Sequence, residues 1–410
     1  MSVTLSALAA EKVILDLVEP IAEQEPVELN KALGRILAAP IKSGLDFPYW
    51  DNSAMDGYAV RYADVVQTSP DEPVSLKIIE EIPAGKIPQT TVNEGEAARI
   101  YTGSMLPQGA DTIIMQEKTQ VQDDQVLILH PPSEPQAFVR RRGEYYQKGN
   151  PLLQPGITLN AQEIGILATI QASEIPVYRR PRVAIFSTGD ELINPDQPLE
   201  LGKIIDSNQY ALTSFILSQT GIPIQLGIVR DNPEILREKI NKALVRADFI
   251  LSTGGVSVGA YDYVEQVLTE LGADIKIRSV AVKPGKPLTV ARFESGCIYF
   301  GIPGNPVSAL VSCWRFVKPA LDKLSGKQGP WTPQWISAQN LQPLRSTGDR
   351  ETYIWGRLNL VKGVYQFEPA TGSNSSGNLM GLAQTNALAV VPINQKEIQP
   401  GAMIMTMKLI

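Results

Sequence analysis

The residues best placed to do chemistry fall into two sets. The first is the stretch VAVKPGKPLTV, Val280 to Val290. There Lys283 and Lys286 stand three positions apart, each is followed by a proline, and Gly285 lies between the pairs. Pro284 and Pro287 fix φ near about −65° and stiffen the loop, so the two cations have little freedom left to lose on binding. A lysine ammonium is a compact positive charge suited to an oxyanion. The second set is acidic: Asp190 and Glu191 in STGDEL, Asp231 in RDN, and Asp262 closing STGGVSVGAYDY. Carboxylate oxygens are the ligands a hard cation prefers, although such acids also cap helices or face solvent. Uncompensated, neighbouring carboxylates repel one another, and a cation between them is the natural remedy.

These residues need elements that bring them together. From residue 181 the chain alternates strands (RVAIFSTG, IPIQLGIV, DFILSTGG, IKIRSVAV, CIYFGIP) with helices (NQYALTSFILSQTG, NPEILREKINKALVRA, DYVEQVLTELG, NPVSALVSCWRFVKPALDKL). That alternation predicts a doubly wound parallel α/β sheet, whose ligands bind beyond the carboxyl ends of the strands. Each acidic, glycine-rich or lysine motif follows a strand, so all are expected on one rim. Gly254, Gly255 and Gly259 follow a buried strand and precede a helix, the context an anion-binding nest requires. Asn305 reads as an N-cap and Pro306 as the first helical residue, which turns a positive helix end toward the same crevice. A phosphate or oxyanion site with a divalent cation is the reading of this convergence.

The remaining chain divides by texture. Residues 4–19 read as an amphipathic helix with Leu5, Leu8, Leu15 and Val18 on one face, VELNKALGRILAAPI as a second helix, and TLNAQEIGILATIQA as a third, opened by a capping box of Asn160 and Glu163. Between them lies a small β domain with a hairpin turn at Asp123–Asp124, and a barrel-like β domain closes the chain. The expected division is a helical domain at 1–45 and 146–180, an inserted β domain at 46–145, the α/β domain at 181–328, and a C-terminal β domain at 329–410.

Composition narrows the class. A formal charge of −6 over 410 residues argues against a nucleic-acid binder. Two cysteines, Cys297 and Cys313, without a CxxC pair argue for core packing in a reducing cytoplasm rather than a disulfide scaffold. A single histidine, His130, removes most histidine metal sites and Ser–His–Asp triads. The N-terminal stretch carries Glu11, Lys12 and Asp16 and does not read as a secretory signal, and no apolar run approaches a membrane span.

The segments DNSAMDGYAVR (51–61), TGSMLPQGADTIIMQE (102–117), RRRGE (140–144), FSTGDEL (186–192), GIVRD (227–231), STGGVSVGAYDY (252–263), VKPGKP (282–287) and IPGNPVSAL (302–310) together resemble the molybdopterin molybdenumtransferase family, the MoeA and gephyrin E-domain type. The resemblance covers essentially the whole chain. It implies an enzyme that binds adenylyl-molybdopterin and molybdate, cleaves the phosphoanhydride with Mg²⁺, and releases AMP and molybdenum cofactor.

By resemblance, Lys283 and Lys286 join Arg350 and Ser376 of the C-terminal domain in a molybdate cradle walled by Pro303 and Pro306. The loop residues Gly254, Gly255, Ser257 and Gly259 hold the cofactor, and Glu191, Asp231 and Asp262 serve the nucleotide and metal, with Glu191 and Asp231 as metal ligands. Asp56 and Thr102 act from the inserted domain. The family forms a homodimer in which the β domain of one chain reaches toward the α/β site of the other, and a molybdopterin adenylyltransferase is a candidate partner. Two positions depart from the family pattern: Tyr145 stands where an aspartate usually follows RRRGE, and Ser279, preceded by Arg278, stands where a basic residue is frequent. A non-catalytic pterin-nucleotide scaffold and a nucleotide pyrophosphatase on the same α/β domain remain the alternatives.

Overall fold

The computed structural model describes residues 4–255 and 263–409. The chain divides into two compact units, one of Pro40–Gln154 with Ile166–Ala172 and one of Met1–Ala39, Pro155–Gly165 and Ser173–Ile410.

Helix α1 spans Ala7–Leu17 and is capped by Ser6, whose hydroxyl accepts from the Ala9 amide at 3.2 Å. Its buried face is Ala7, Ala10, Glu11 and Ile14. Leu8, expected on that face, is 72 % exposed. Val18 and Leu5 do join the core with Ala7, Ala10 and Ile14, so the expected face holds in part and fails at Leu8. The second expected helix does not form. Gln24–Glu28 is a strand paired antiparallel with Glu174–Tyr178, followed by a single 3₁₀ turn at Leu29–Lys31. Gly34 then takes a φ of +73°, and the cross-strand pairing outweighs local helix propensity.

In the smaller unit, strands β1 (Gly57–Val60), β2 (Val74–Ile82), β3 (Glu96–Ile100), β4 (Thr112–Met115), β5 (Thr119–Gln122) and β6 (Gln125–Ile128) form one sheet in the order β4-β1-β3-β2-β6-β5. The expected hairpin turn sits between β5 and β6, with Asp123 at φ +53°. Tyr58, Val60, Leu76 and Ile114 pack in one apolar cluster, and Ala59, Ile82, Ala98 and Ile113 in another. That two-sided burial explains why β1 reads as unbroken small and apolar residues. Gly57 is required there, because a Cβ would fall 1.9 Å from the Ile114 carbonyl oxygen of β4.

At the start of helix α2 (Ala161–Thr169) the return half of the expected capping box forms, the Asn160 amide donating to Glu163 at 2.8 Å. The α/β layer comprises β7 (Arg182–Thr188), α3 (Asn208–Ser218), β8 (Ile222–Val229), α4 (Pro233–Leu244), β9 (Phe249–Thr253), α5 (Tyr263–Glu270), β10 (Asp274–Ser279), β11 (Val282–Lys283), β12 (Pro287–Arg292), β13 (Ile298–Ile302), α6 (Pro306–Ser312) and α7 (Lys318–Leu324), with a π-helical turn at Cys313–Val317 joining the last two. Its sheet runs β8-β7-β9-β13-β12-β10. The first four strands are parallel as expected, whereas β12 runs antiparallel between β13 and β10, so the sheet is mixed. Two reversals return β10 to the direction of β13. Its carboxyl end therefore lies on the same edge as those of β7, β9 and β13. Both cysteines are buried thiols in this layer, and burial pushes the Cys297 thiol up to about 12.

The C-terminal strands β14 (Gln334–Asn340), β15 (Glu351–Val361), β16 (Val364–Pro369), β17 (Ala387–Val391) and β18 (Met403–Lys408) close into a five-stranded barrel, because β15 pairs with both β16 and β17. Strand β11 adds to its edge in parallel, with Val282 opposite Glu351 and Lys283 opposite Thr352. Among the described residues no helix is long and apolar enough to cross a membrane.

Candidate active site

The lysine loop is held on two sides. Leu5 forms a bridge with Val280, and the Ala281 amide donates to the Leu5 carbonyl at 2.7 Å. On the other side the Glu351 amide donates to the Ala281 carbonyl at 3.0 Å, continuing the β11–β15 pairing. The loop closes on itself through the Val280 amide and the Lys286 carbonyl. Lys283 is half-buried and Lys286 exposed. Gly285, at φ +112°, lies directly over α6, where a Cβ would meet the Ser312 hydroxyl at 3.1 Å. That hydroxyl is buried and has no hydrogen-bond partner among the described residues.

A cavity of about 430 Å³ opens beside this loop, lined by Thr4, Ala281, Lys286, Asp349 and Arg350. Lys286 and Arg350 thus bring two cations from separate layers to one space. Arg350 is kept in place by Asp349, its Nε 3.0 Å from Oδ2. The Asp349 carboxyl lies below the usual carboxylate range, chiefly through its hydrogen bond from Thr347 and also through Arg350. Beneath Arg350 runs a buried chain: Arg315 Nε donates to the Tyr353 hydroxyl at 2.9 Å, Tyr353 bonds Glu351, and the Arg315 guanidinium pairs with Glu11 of α1. Arg315 sits in the π-helical turn, an irregularity frequent at functional sites.

Ser376 also arrives from the barrel. Its hydroxyl receives the Asn305 side-chain amide at 3.0 Å, and its carbonyl receives the Val307 amide at 3.1 Å. Asn305 occupies the N-cap position, and Pro306 begins the helix as expected. The Asn305 side chain makes no capping bond of its own and turns to Ser376 instead. Pro303 is buried at the end of β13, and Pro306 is half-buried.

Further along the same edge, the ends of β7, β9 and β13 meet. A Cβ on Gly254, at φ +85°, would fall 2.5 Å from the Thr188 carbonyl oxygen, and Gly304 packs against the Gly254 backbone. The Gly254–Gly255 turn therefore exists because neither residue carries a side chain. Ser257, Gly259 and Asp262 lie outside the described residues. Asn208, at the start of α3, donates through Nδ2 to the Gly304 carbonyl at 2.7 Å, and its buried Oδ1 has no partner among the described residues. Sequence reasoning passed over Asn208 and Thr188. The signal available was a polar Asp-Ser-Asn run at a helix start facing the edge already under suspicion.

The acids gather at the β7 and β8 ends. The Asp190–Glu191 turn is fixed by Lys203, whose Nζ donates to the Asp190 carbonyl at 2.8 Å, and by the Ile204 amide on the Glu191 carbonyl. The Glu191 carboxylate folds back toward the Gly189 Cα. The Asp231 residue is largely exposed, yet its carboxyl is pushed above the usual range, first by partial desolvation and then by the negative charges of Asp190 and Glu191. Among the described residues no group of three or more histidine, cysteine or acidic side chains is close enough to cage a metal ion. The donor set suits Mg²⁺, which is ordinarily held by one or two carboxylates, water and substrate phosphates.

In the smaller unit, Asp56 accepts two hydrogen bonds on Oδ1, from the Thr102 amide and from its hydroxyl, both at 2.8 Å. Those bonds hold the Asp56 carboxyl below its ordinary value, the amide contributing most. Tyr145 sits near Phe47, their ring centroids 5.9 Å apart.

The arrangement defines an α/β protein whose sheet edge carries a cavity lined by Lys286 and completed by Asp349 and Arg350 at the C-terminal barrel. Three family models cover nearly the whole chain: the MoeA N-terminal region (domain I and II) over residues 5–170, the "Probable molybdopterin binding domain" over 184–323, and the MoeA C-terminal region (domain IV) over 337–409. The chain belongs to the MoeA family of molybdopterin molybdenumtransferases, transferase enzymes of molybdenum cofactor biosynthesis. It is 53 % identical over 402 residues, 97 % of this chain and 92 % of the relative, to a molybdopterin molybdenumtransferase of Nostoc sp.. It is 31 % identical to the protein of that name from Bacillus subtilis over 92 % and 88 % of the two chains. The crystal structure of the molybdopterin biosynthesis MoeA protein from Pyrococcus horikoshii matches with a TM-score of 0.84 at 30 % identity, covering 99 % of this chain and all of that one.

Proposed function

We propose that this enzyme inserts molybdate into adenylyl-molybdopterin with release of AMP. The observation that carries the reading is the cavity lined jointly by Lys286 and Arg350. Two cations facing one space of that size suit a doubly charged tetrahedral anion, and each charge-assisted hydrogen bond contributes about 1.5–3 kcal/mol. Lys283, Ser376 and the buried Pro303 shape the surroundings. In the reaction, water adds at a phosphorus of the anhydride, freeing AMP and the molybdopterin phosphate. The two thiols of the pterin give up their protons to one molybdate oxygen, which leaves as water as the sulfurs bind molybdenum.

Glu191 and Asp231 would hold Mg²⁺ against the phosphates, with Asp262 nearby in sequence to the glycine loop. Bound there, the ion would offset negative charge developing on the phosphate oxygens. Gly254 and Gly255 bring backbone close to the ligand, and the Asn208 Oδ1, without a partner among the described residues, accepts a hydrogen bond from it. Asp56, kept ionised by Thr102, orients a donor of the substrate. We read the working enzyme as a cytoplasmic homodimer in which Asp56 and Thr102 serve the partner's α/β edge, fed by a molybdopterin adenylyltransferase.

The test is AMP release from adenylyl-molybdopterin with Mg²⁺, with and without molybdate. Release that requires molybdate supports the reading. Cleavage of ordinary dinucleotides at a rate indifferent to molybdate would establish a pyrophosphatase instead, and tight binding without turnover a scaffold. Lys283→Ala with Lys286→Ala should raise the molybdate requirement at least about tenfold while nucleotide binding is retained. Collapse of nucleotide binding in a folded variant would refute the assigned division of roles.

A further inference from the structure

A second cavity, of about 300 Å³, lies wholly within the smaller unit. Its walls are aromatic: Phe47, Tyr49, Trp50 and Tyr145, all partly exposed. The rings are set at angles to one another, Tyr49 and Trp50 at 5.6 Å and 47°, Phe47 and Tyr145 at 5.9 Å and 55°. The backbone holds them so. The amides of Tyr145 and Tyr146 both donate to the Phe47 carbonyl, at 3.0 and 2.9 Å, and the Tyr49 hydroxyl donates to the Thr169 carbonyl at 2.6 Å.

One cation lines the cleft. Arg140 is half-buried, and pairing of Val139–Arg140 with Asn52–Ser53 fixes its backbone opposite Asn52. Arg142 is bound to Asp46, but the Arg140 side chain makes no ion pair or hydrogen bond among the described residues. A partly desolvated guanidinium without a counter-charge, beside exposed aromatic faces, is a pairing suited to a phosphate attached to a flat ring. The lining contains no aspartate or glutamate. A pterin, like guanine, presents a 2-amino-oxo edge that calls for a carboxylate acceptor, whereas adenine lacks that edge and can be held by its faces alone.

We infer that this cleft binds an adenine nucleoside monophosphate, the base stacked between Trp50 and Tyr145 and the phosphate on Arg140. The inference deepens the function proposed above and rests on it for its biological meaning: the site would seat the AMP portion of the substrate. Gly103, next to Thr102 and its partner Asp56, also lines the cleft, so such a ligand would lie beside the acid assigned to substrate binding. In this reading Tyr145 supplies a stacking surface where the family usually has a carboxylate.

The experiment is titration of the full-length protein with AMP, adenosine and free pterin, without molybdate, followed by tryptophan fluorescence and calorimetry. AMP should quench the emission, and Trp50→Phe should abolish the quench. Arg140→Gln should weaken AMP about tenfold and leave adenosine unchanged. Tyr145→Ala should weaken both at least about fivefold, while Tyr145→Phe, which keeps the ring, should restore binding and controls for folding. AMP binding indifferent to both Arg140→Gln and Tyr145→Ala, or pterin displacing AMP from this cleft at lower concentration, overturns the inference. Molybdate-dependent AMP release is measured separately: its loss with AMP binding intact counts against the proposed reaction, and the converse counts only against the cleft.

Discussion

The Asn305 side chain donates to the Ser376 hydroxyl at 3.0 Å, so the start of α6 is tied to a loop of the barrel by a bond between two candidate site residues. The Val307 amide on the Ser376 carbonyl repeats the link through backbone. Ser376→Ala removes only the side-chain half. Its expected cost in stability is below about 1.5 kcal/mol, one neutral hydrogen bond. The molybdate concentration at half-maximal turnover should rise several-fold, because Asn305 is then free to reorient. Unfolding by urea alongside steady-state turnover checks both parts.

Arg315 should be far less forgiving. It is buried and bound to both Glu11 and Tyr353. Truncation to alanine strands Glu11 in the interior, a loss of about 3–5 kcal/mol. Pairing Arg315→Met with Glu11→Leu should recover most of that stability but not turnover, because Tyr353, Glu351 and the neighbouring Arg350 lose their common anchor. A double-mutant cycle in chemical denaturation, read beside AMP release, separates the two effects.

Asp231 carries a pH signature. Its carboxyl is raised in the folded protein, so the folded state binds a proton more tightly than the unfolded chain. That group therefore favours folding at low pH, and the benefit fades as pH rises through the ordinary carboxylate value to the raised one. At pH 7 the ionised form is a liability of the fold. Asp231→Asn should raise the melting temperature at pH 7, and the gain over wild type should shrink as pH falls through the carboxylate range. Added Mg²⁺ should stabilise wild type and have a smaller effect on the variant. Melting curves across pH, with and without the ion, provide the measurement.

Gly254→Ala tests the close approach of β7 and β9. The added methyl meets a carbonyl oxygen at 2.5 Å in a left-handed backbone conformation. No side chain can swing away to relieve it. A loss of at least about 1 kcal/mol is expected from the backbone conformation alone, together with weaker nucleotide binding, measured by melting and by calorimetry.

How far the sequence could be read depended on how local each determinant was. The α/β alternation, the closing barrel and the Asn160–Glu163 bond follow from patterns within one segment, and they appear as expected. Leu8 of α1 misled because the burial of that helix is decided by partners more than 290 residues away, such as Arg315 for Glu11. The strand at Gln24–Glu28 was hidden for a similar reason: its partner lies at Glu174–Tyr178. In the site, Lys286 was legible as a candidate because its loop is stiff and charged, whereas Arg350 was named only through the family resemblance. Asn208 was not, since its significance comes from one carbonyl on Gly304 and from an oxygen left over. The reversal of β12 also escaped, because a chain that doubles back leaves no periodicity to mark it.

Strand β11 belongs by sequence to one layer and by hydrogen bonding to another. A fragment cut before the barrel would keep the lysines but expose the amides and carbonyls that β15 now covers, leaving an adhesive margin prone to recruit foreign strands. The α/β and barrel modules are thus sewn into a single inheritable piece, and recombination that shuffled one without the other would discard the lysine loop's support along with the seam.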